Sequence, residues 1–258
     1  MTGLTDGKDT SNDAIVVDHL SKKFRIPQEK KYTLYQHLFG IFKGGYYSYN
    51  EFLALDDISF TVSRGESIGI IGPNGSGKST LLKLIGGILY PDKGYTRSFG
   101  RIAPFIELGV GFHPELTARE NIFLYGTILG LKKAQIREKY DEILSFSELK
   151  KFENMKIKNF SSGMTARLAF STAMNTNPDI LLIDEILAVG DEEFKYKVIE
   201  KINEMKERKV TIVFVSHALD IVQQYCTRSL LLSKGKIVQI GETSRVIETY
   251  LQITRDHQ

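Results

Sequence analysis

The chain has 258 residues, of which 42% are hydrophobic, and a formal net charge of +3 at pH 7. This length and composition suffice for one large core, or for a domain with a small subdomain. The modest positive charge does not indicate a nucleic-acid-binding surface. The single cysteine, Cys226, excludes an intrachain disulfide, and no apolar run approaches the roughly 18–20 residues that span a bilayer.

The N-terminal region combines a polar segment, two predicted strands and an insertion. Residues 1–13 lack the basic and apolar regions of a secretory signal, so we interpret them as a flexible tail. Residues 14–17 and 56–62 are rich in β-branched residues and predict strands. Residues 28–52 form a predicted insertion that contains an amphipathic helix over 34–42 with flanking lysines. Such a helix suits a membrane interface, a partner's membrane helices, or packing on its own domain.

A glycine-rich loop follows the apolar run 66–71 and precedes residues at helical spacing. This context of strand, loop and helix is the one that the phosphate-binding P-loop requires. Backbone N–H groups of such a loop surround an anion, the lysine reaches the β- and γ-phosphates, and Ser79 can ligate Mg²⁺. The loop consists of Gly72, Pro73, Asn74, Gly75, Ser76, Gly77, Lys78, Ser79 and Thr80.

Residues 114–153 predict mainly helices, and Thr117 followed by Glu120 resembles a capped helix start. We therefore expect a helical subdomain over about residues 114–175. Within it, Ser161, Ser162, Gly163 and Met164 precede another helical pattern. The N-terminus of that helix would offer a hydroxyl and free N–H groups to a second anion, although a serine helix cap alone would look the same.

Two further strand ends carry polar residues. Asp184 ends the apolar run 180–183, where a carboxylate can coordinate Mg²⁺ through water beside the P-loop. Glu185 follows, and it can orient and polarise an attacking water as a general base. His217 comes directly after the predicted strand 210–215, where it can donate a hydrogen bond to a γ-phosphate.

The remaining chain alternates helices and strands. The pattern predicts helices over 194–206, 218–225 and 243–251, and a hairpin of strands at 230–232 and 236–240. Such alternation favours an α/β fold with a largely parallel core sheet, here accompanied by an antiparallel β portion and the helical subdomain.

The P-loop, the Ser161–Met164 segment, Asp184 with Glu185, and His217 follow one another along the chain. Together and in this order they resemble the ATP-binding domain of ABC transporters over about residues 14–240. The resemblance implies an ATPase of the P-loop type, with Glu185 as catalytic base, Asp191 in the D-loop that follows Glu185, and His217 as switch histidine. Ser161–Met164 occupies the place of the family's signature, with Ser162 and Met164 replacing a glycine and a glutamine. Phe24 is the expected adenine-stacking aromatic, and Phe52 is the alternative.

In the family, one segment carries a glutamine that contacts Mg²⁺. In this chain that segment lacks the glutamine, and Glu107 is its expected replacement. Its sequence, Glu107-Leu108-Gly109-Val110-Gly111-Phe112-His113-Pro114-Glu115-Leu116-Thr117, is similar to the ATPases of O-antigen and teichoic-acid exporters. Some O-antigen members carry a C-terminal carbohydrate-binding domain, which we do not expect in this chain. The resemblance implies ATP and Mg²⁺ as cofactors and export of a lipid-linked polysaccharide or polyol phosphate.

This resemblance also implies partners and a location. Two copies would meet head-to-tail around ATP, bound to a separate membrane-spanning subunit at the cytoplasmic face of the cell membrane. No nucleic-acid partner is expected. The alternatives are an exporter of a drug or lipid, a soluble ABC protein acting on DNA or ribosomes, and a regulatory module that does not hydrolyse ATP.

Overall fold

The computed structural model describes residues 12–27, 49–105, 109–184 and 191–255, and element labels count these residues only. Its strands are β1 (Asp13–Pro27), β2 (Tyr49–Ser63), β3 (Ser67–Ile71), β4 (Lys93–Ser98), β5 (Ile102–Phe105), β6 (Ile180–Asp184), β7 (Thr211–Val215), β8 (Arg228–Ser233) and β9 (Lys236–Glu242). Its α-helices are α1 (Lys78–Ile85), α2 (Ala118–Ile128), α3 (Lys133–Ser147), α4 (Ser162–Met174), α5 (Glu192–Glu207), α6 (Leu219–Tyr225) and α7 (Thr243–Arg255).

The larger sheet has the strand order β5-β6-β7-β3-β8-β9. All neighbouring pairs are parallel except the β8–β9 hairpin. All five residues of β3 are buried, as expected for a central strand that helices cover on both faces. Because β3, β6 and β7 are neighbours and parallel, their carboxyl ends lie together at one edge of the sheet.

The smaller sheet is antiparallel and has the order β2-β1-β4. β2 begins at Tyr49, so residues 49–52 belong to this sheet and not to the insertion that the sequence predicted over 28–52. They pair with the end of β1, where Phe24 lies opposite Phe52 and Pro27 opposite Tyr49. The predicted helix over 34–42 lies outside the described residues.

Two cores lie on opposite faces of the larger sheet. Leu181 and Ile183 of β6 pack in the core that contains residues of α4 and α5, including Phe170 and Phe194. Their neighbours Ile180 and Leu182 pack in the other core, with the apolar side chains of α1. This alternation follows from the two-residue period of a strand.

The helices α2, α3 and α4 enclose a third, smaller core. Thr117 caps α2 with a full capping box: its hydroxyl accepts from the Glu120 N–H, and the Glu120 carboxylate accepts from the Thr117 N–H. The predicted helix start is therefore confirmed. Among the residues that the structure describes, none of the helices has the length and apolar character required to cross a bilayer.

The predicted fold class is confirmed, but the sequence did not predict β4 and β5. β4 has no buried residue, and its sequence Lys-Gly-Tyr-Thr-Arg-Ser carries no apolar alternation. β5 is four residues long and contains Pro104. A proline is tolerated there because, among the strands that the structure describes, β5 lies at the edge of the sheet and pairs only with β6.

Candidate functional site

The loop between β3 and α1 depends on glycines in backbone conformations that other residues rarely adopt. Gly72, Gly75 and Gly77 have φ angles of 148°, 74° and 107°. A Cβ atom on Gly72 would lie 2.0 Å from the carbonyl oxygen of Leu232, and one on Gly77 would lie 2.7 Å from that of Ala54. The loop is therefore packed closely against neighbouring backbone, which fixes the direction of its N–H groups.

Lys78 is the first residue of α1, and its side chain is buried in the loop. Its Nζ donates to the carbonyl oxygens of Gly72 and Pro73, both at 2.9 Å. The Oγ of Ser76 is also buried, and within the described part of the chain it has no hydrogen-bond partner. Because buried polar atoms are normally satisfied, this hydroxyl fits a loop built to receive phosphate oxygens.

A cavity of about 490 Å³ lies beside this loop. The P-loop, the end of β6 and His217, which follows β7, meet at this cavity, as expected for neighbouring parallel strands. Its lining residues are Phe52, Ala54, Asn74, Gly75, Gly77, Lys78, Ser79, Thr80, Asp184 and His217.

The aromatic residue at this cavity is Phe52, which is 50% exposed. Phe24 lies opposite Phe52 in the β1–β2 pair, but of these two described residues only Phe52 lines the cavity. The Nζ of Lys22 lies 5.6 Å from the centre of the Phe24 ring. The structure therefore favours Phe52, the alternative residue, as the aromatic contact of a nucleotide. Phe24, the residue expected from the sequence, is not among the residues that line this cavity.

Ser79 and Asp184 both line the cavity and fit a Mg²⁺ ion. In the described ranges no group of three or more His, Cys, Asp or Glu side chains could hold a metal by itself. One hydroxyl and one carboxylate suit Mg²⁺ in particular, because this ion keeps several waters and takes further ligands from substrate phosphates.

A second cavity, of about 610 Å³, lies at the N-terminus of α4. Ser161 is the N-cap, and its Oγ accepts from the Met164 N–H at 3.2 Å. Among the described residues, a Cβ on Gly163 would meet only the Ser161 Oγ, at 3.8 Å, which leaves space beside this backbone. The lining residues are Glu148, Leu149, Phe152, Ser161, Ser162, Gly163, Met164, Ala166, Arg167 and Asp191.

Asp191 connects this cavity to the N-terminus of α5. Its Oδ1 accepts from the Phe194 N–H at 3.1 Å, and its Oδ2 accepts from Arg167 at 2.5 Å. The Phe194 N–H, followed by the charge of Arg167, holds the pKa of this carboxyl below its usual value. Asp191 therefore remains ionised at neutral pH.

Comparisons with known proteins agree with these features. The ABC transporter family profile matches residues 55–188. The chain is 44% identical over 237 residues to the O-antigen export system ATP-binding protein RfbB of Klebsiella pneumoniae, covering 86% of this chain and 94% of that protein. The chain belongs to the ABC transporter family.

Other members of the ABC transporter family are also similar. The teichoic acids export ATP-binding protein TagH of Bacillus anthracis is 41% identical over 93% of this chain, although the match covers only 42% of that protein. TagH of Staphylococcus haemolyticus is 38% identical, over 94% of this chain and 90% of its own length. A dimeric structure of the ATP-binding cassette MJ0796 with ADP and Pi superposes with a TM-score of 0.70 at 22% identity, covering 89% of this chain and 98% of that one.

Family membership confirms the prediction of a nucleotide-binding ATPase whose hydrolysis is coupled to transport. The roles of individual residues stay predictions. Glu185 and Glu107 lie outside the described residues, as do the two residues before Asp191.

The sequence did not single out Arg167 or Glu148, which line the second cavity beside the ABC signature segment. One signal was available for Arg167: it lies four residues after Gly163 and therefore on the same face of α4. No comparable signal exists for Glu148, which ends α3 and lies near Arg167 only in the folded chain.

Proposed function

We propose that this protein is the ATPase subunit of an exporter that moves a lipid-linked cell-surface polysaccharide or polyol phosphate across the cytoplasmic membrane. The observation that carries the proposal is the 44% identity to an O-antigen export ATP-binding protein over 86% of the chain. The similarity to teichoic acid export proteins supports the same broad cargo class.

The two cavities support a two-copy arrangement. The P-loop cavity and the Ser161 cavity share no lining residue within the described chain. ATP at the P-loop of one copy would therefore meet the Ser161–Gly163 segment of a second copy under two-fold symmetry. The dimeric solved cassette of similar fold is compatible with this assembly.

In this arrangement each residue has a defined chemical task. Lys78 and the loop N–H groups balance the phosphate charge, while Ser79 and Asp184 would hold Mg²⁺, which would supply further positive charge to the phosphates. Glu185 accepts a proton from the attacking water while the water oxygen bonds to the γ-phosphorus. The bond between the γ-phosphorus and the ADP oxygen breaks in the same step. His217 donates to the γ-phosphate, and Glu107 is a further candidate near the metal. Phe52, or Phe24 as first expected, stacks on adenine.

Loss of the bridging γ-phosphate would release the two copies from one another. A separate membrane-spanning subunit would convert this separation into movement of the cargo, holding the ATPase as a peripheral subunit at the cytoplasmic face of the membrane. The predicted helix over 34–42 would then lie near the route of the lipid-linked cargo. Deletion of residues 31–48, which leaves β2 intact, should impair export more than ATP hydrolysis.

Depletion of the protein from its own cells tests the cargo. We expect lipid-linked glycan or polyol phosphate to accumulate on the inner side of the membrane. The wild type and Lys83→Met should rescue export, whereas Lys78→Met should not. Lys83 is the matched control because it lies on the same helix, α1, but does not line the P-loop cavity within the described chain.

An unchanged glycan distribution, together with an active ATPase, would instead favour another exported cargo such as a drug or lipid. Recovery of the protein with nucleic acid or ribosomes, and not with membranes, would contradict the transport proposal altogether.

The dimer is tested with Glu185→Gln and Mg²⁺-ATP by size-exclusion chromatography. We expect hydrolysis to stop and a dimer to persist that the wild type does not retain. Glu192→Gln, an acid-to-amide change on the exposed first turn of α5, is the control and should hydrolyse ATP normally. Persistent hydrolysis by Glu185→Gln would place the base elsewhere.

A further inference from the structure

Arg167 lies at the junction of three helices. Its Nη1 donates to the Oε2 of Glu148 at 2.9 Å, and its Nη2 donates to the Oδ2 of Asp191 at 2.5 Å. The guanidinium carbon is 5.1 Å from the centre of the Phe194 ring. One side chain of α4 therefore contacts the end of α3 and the start of α5 at the same time.

Both carboxylates that Arg167 binds have a second structural contact. Asp191 also caps α5 through the Phe194 N–H. Glu148 is the C-cap of α3, with a φ angle of 62°, and it also accepts from Lys197 of α5. Arg167 and Lys197 thus share Glu148, and Lys197 also lies 3.7 Å from the carboxylate of Glu193. Removing Arg167 would take its cation from both Asp191 and Glu148.

The network belongs to the wall of the Ser161 cavity. Arg167, Glu148 and Asp191 line this cavity together with Ser161 and Gly163. Arg167 is only 17% exposed, so its ion pairs are partly shielded from water. The side chain of Arg167 therefore belongs to the same cavity wall as the Ser161 hydroxyl.

We infer that Arg167 is a positioning residue that fixes the Ser161 segment relative to Asp191, so that both meet the second copy's nucleotide as one rigid surface. This inference rests on the proposed two-copy arrangement. Arg167 itself is not assigned a contact with ATP; it acts through the helix that carries Ser161 and the cap that Asp191 forms.

Arginine is suited to this role because its planar fork can donate to two carboxylates in different directions and stack on an aromatic ring. A lysine offers a point charge on a flexible stem and lacks the rigid fork that here donates to both carboxylates. Arg167→Lys should therefore keep the positive charge but weaken the bridge.

The first measurement is ATP-dependent dimerisation in the full-length Glu185→Gln background. We expect Arg167→Met to require about tenfold more protein for half-maximal dimer, since charged hydrogen bonds of this kind contribute about a factor of ten or more. Arg167→Lys should lie closer to Arg167→Met than to the parent. The affinity of single copies for ATP should stay within about twofold, since the P-loop is untouched.

Lys197→Met is the matched control. It removes the other cation of the network and its contact with Glu148, but it leaves the bridge between α4 and Asp191 intact. Its dimerisation should remain within about threefold of the parent, since an exposed ion pair contributes little.

The second measurement is hydrogen exchange of single copies without nucleotide, which does not depend on the dimer. Arg167→Met should raise exchange at the starts of both α4 and α5, whereas Lys197→Met should leave the start of α4 unchanged. Unchanged exchange and dimerisation in Arg167→Met would overturn the inference. Exchange that rises throughout the chain, with loss of ATP binding, would also overturn it by showing a purely structural role.

If Arg167→Met does not fold, Arg167→Lys decides by the same two measurements. If the Glu185→Gln parent itself does not dimerise with ATP, the two-copy arrangement is what fails. The exchange experiment then still shows whether Arg167 couples the two segments.

Discussion

Phe24 and Phe52 lie directly opposite each other in the antiparallel pair β1–β2, yet only Phe52 of this pair lines the P-loop cavity. Directly opposite residues point to the same face of a sheet, so the two rings differ in their distance along that face and not in their side. The structure therefore favours Phe52, whereas the resemblance in sequence favoured Phe24.

We expect Phe52→Ala to weaken ATP binding about tenfold, because base–aromatic stacking contributes about 1–3 kcal/mol. Phe24→Ala, the matched control, should change the affinity less than about threefold, because this ring does not line the cavity. Fluorescence titration with a nucleotide analogue measures both. A larger loss for Phe24→Ala would restore the sequence-based assignment.

The close packing of the P-loop gives a second prediction. Gly77→Ala should destabilise the protein by clearly more than Gly87→Ala, although both glycines have positive φ angles, of 107° and 70°. Alanine in the left-handed region is strained by about 1–2 kcal/mol, and by more at the φ of Gly77, which lies beyond the usual values of that region. In addition, only the Cβ on Gly77 would collide with a carbonyl oxygen, that of Ala54.

Urea unfolding of the two glycine variants measures this difference. Equal midpoints would show that the loop can move away from Ala54, and the tight contact would then not constrain the P-loop. ATP binding should fall in Gly77→Ala and remain near the wild-type value in Gly87→Ala, which lies beyond the end of α1.

The capping box of α2 should make part of the stability depend on pH. The N–H and hydroxyl of Thr117 hold the pKa of Glu120 below its usual value. A lowered pKa in the folded state means that the contribution is present above about pH 4.5, the ordinary value, and is lost as the pH falls through the folded value.

Glu120→Gln isolates this contribution, because glutamine can still complete a capping box but does not titrate. The stability difference between wild type and variant should shrink as the pH falls below about 4.5. Urea unfolding at several pH values gives the difference, in which the other carboxylates cancel. A difference that is constant with pH would mean that the ionised carboxylate does not strengthen the cap.

Cys226 should react slowly with thiol reagents while the protein is folded. The side chain is buried, and burial raises its pKa to about 12, so the reactive thiolate is scarce at neutral pH. Maleimide labelling should become rapid only in denaturant, in parallel with unfolding. Labelling of the folded protein at the rate of a free thiol would show that α6 and β8 open locally around Cys226.

The predicted site elements that the structure brings together at the first cavity are local in the chain. The P-loop, the carboxylate that ends β6 and the histidine after β7 each follow from a few adjacent residues and from the parallel order of the strands. Thr117 and Ser161 were likewise recognisable, because helix caps obey short-range rules.

The features that escaped prediction depend on distant residues. β1 pairs with β2 through several register shifts, so a simple two-residue alternation does not place Phe24 or Phe52 relative to the P-loop. The Arg167 network joins residues 148, 167 and 191, whose proximity arises only when α3, α4 and α5 have packed.

Successive side chains of β6 point to opposite faces of the larger sheet, and the core on each face lies behind a different cavity. Leu182 packs in the core shared with α1, behind the P-loop, whereas Leu181 packs in the core shared with α4 and α5, behind the Ser161 segment. Adjacent residues of this five-residue strand therefore lie behind different cavities, one at the P-loop and one at the Ser161 segment. Substitutions at even-numbered positions of this strand should first disturb nucleotide binding, and those at odd-numbered positions should first disturb the proposed contact between two copies.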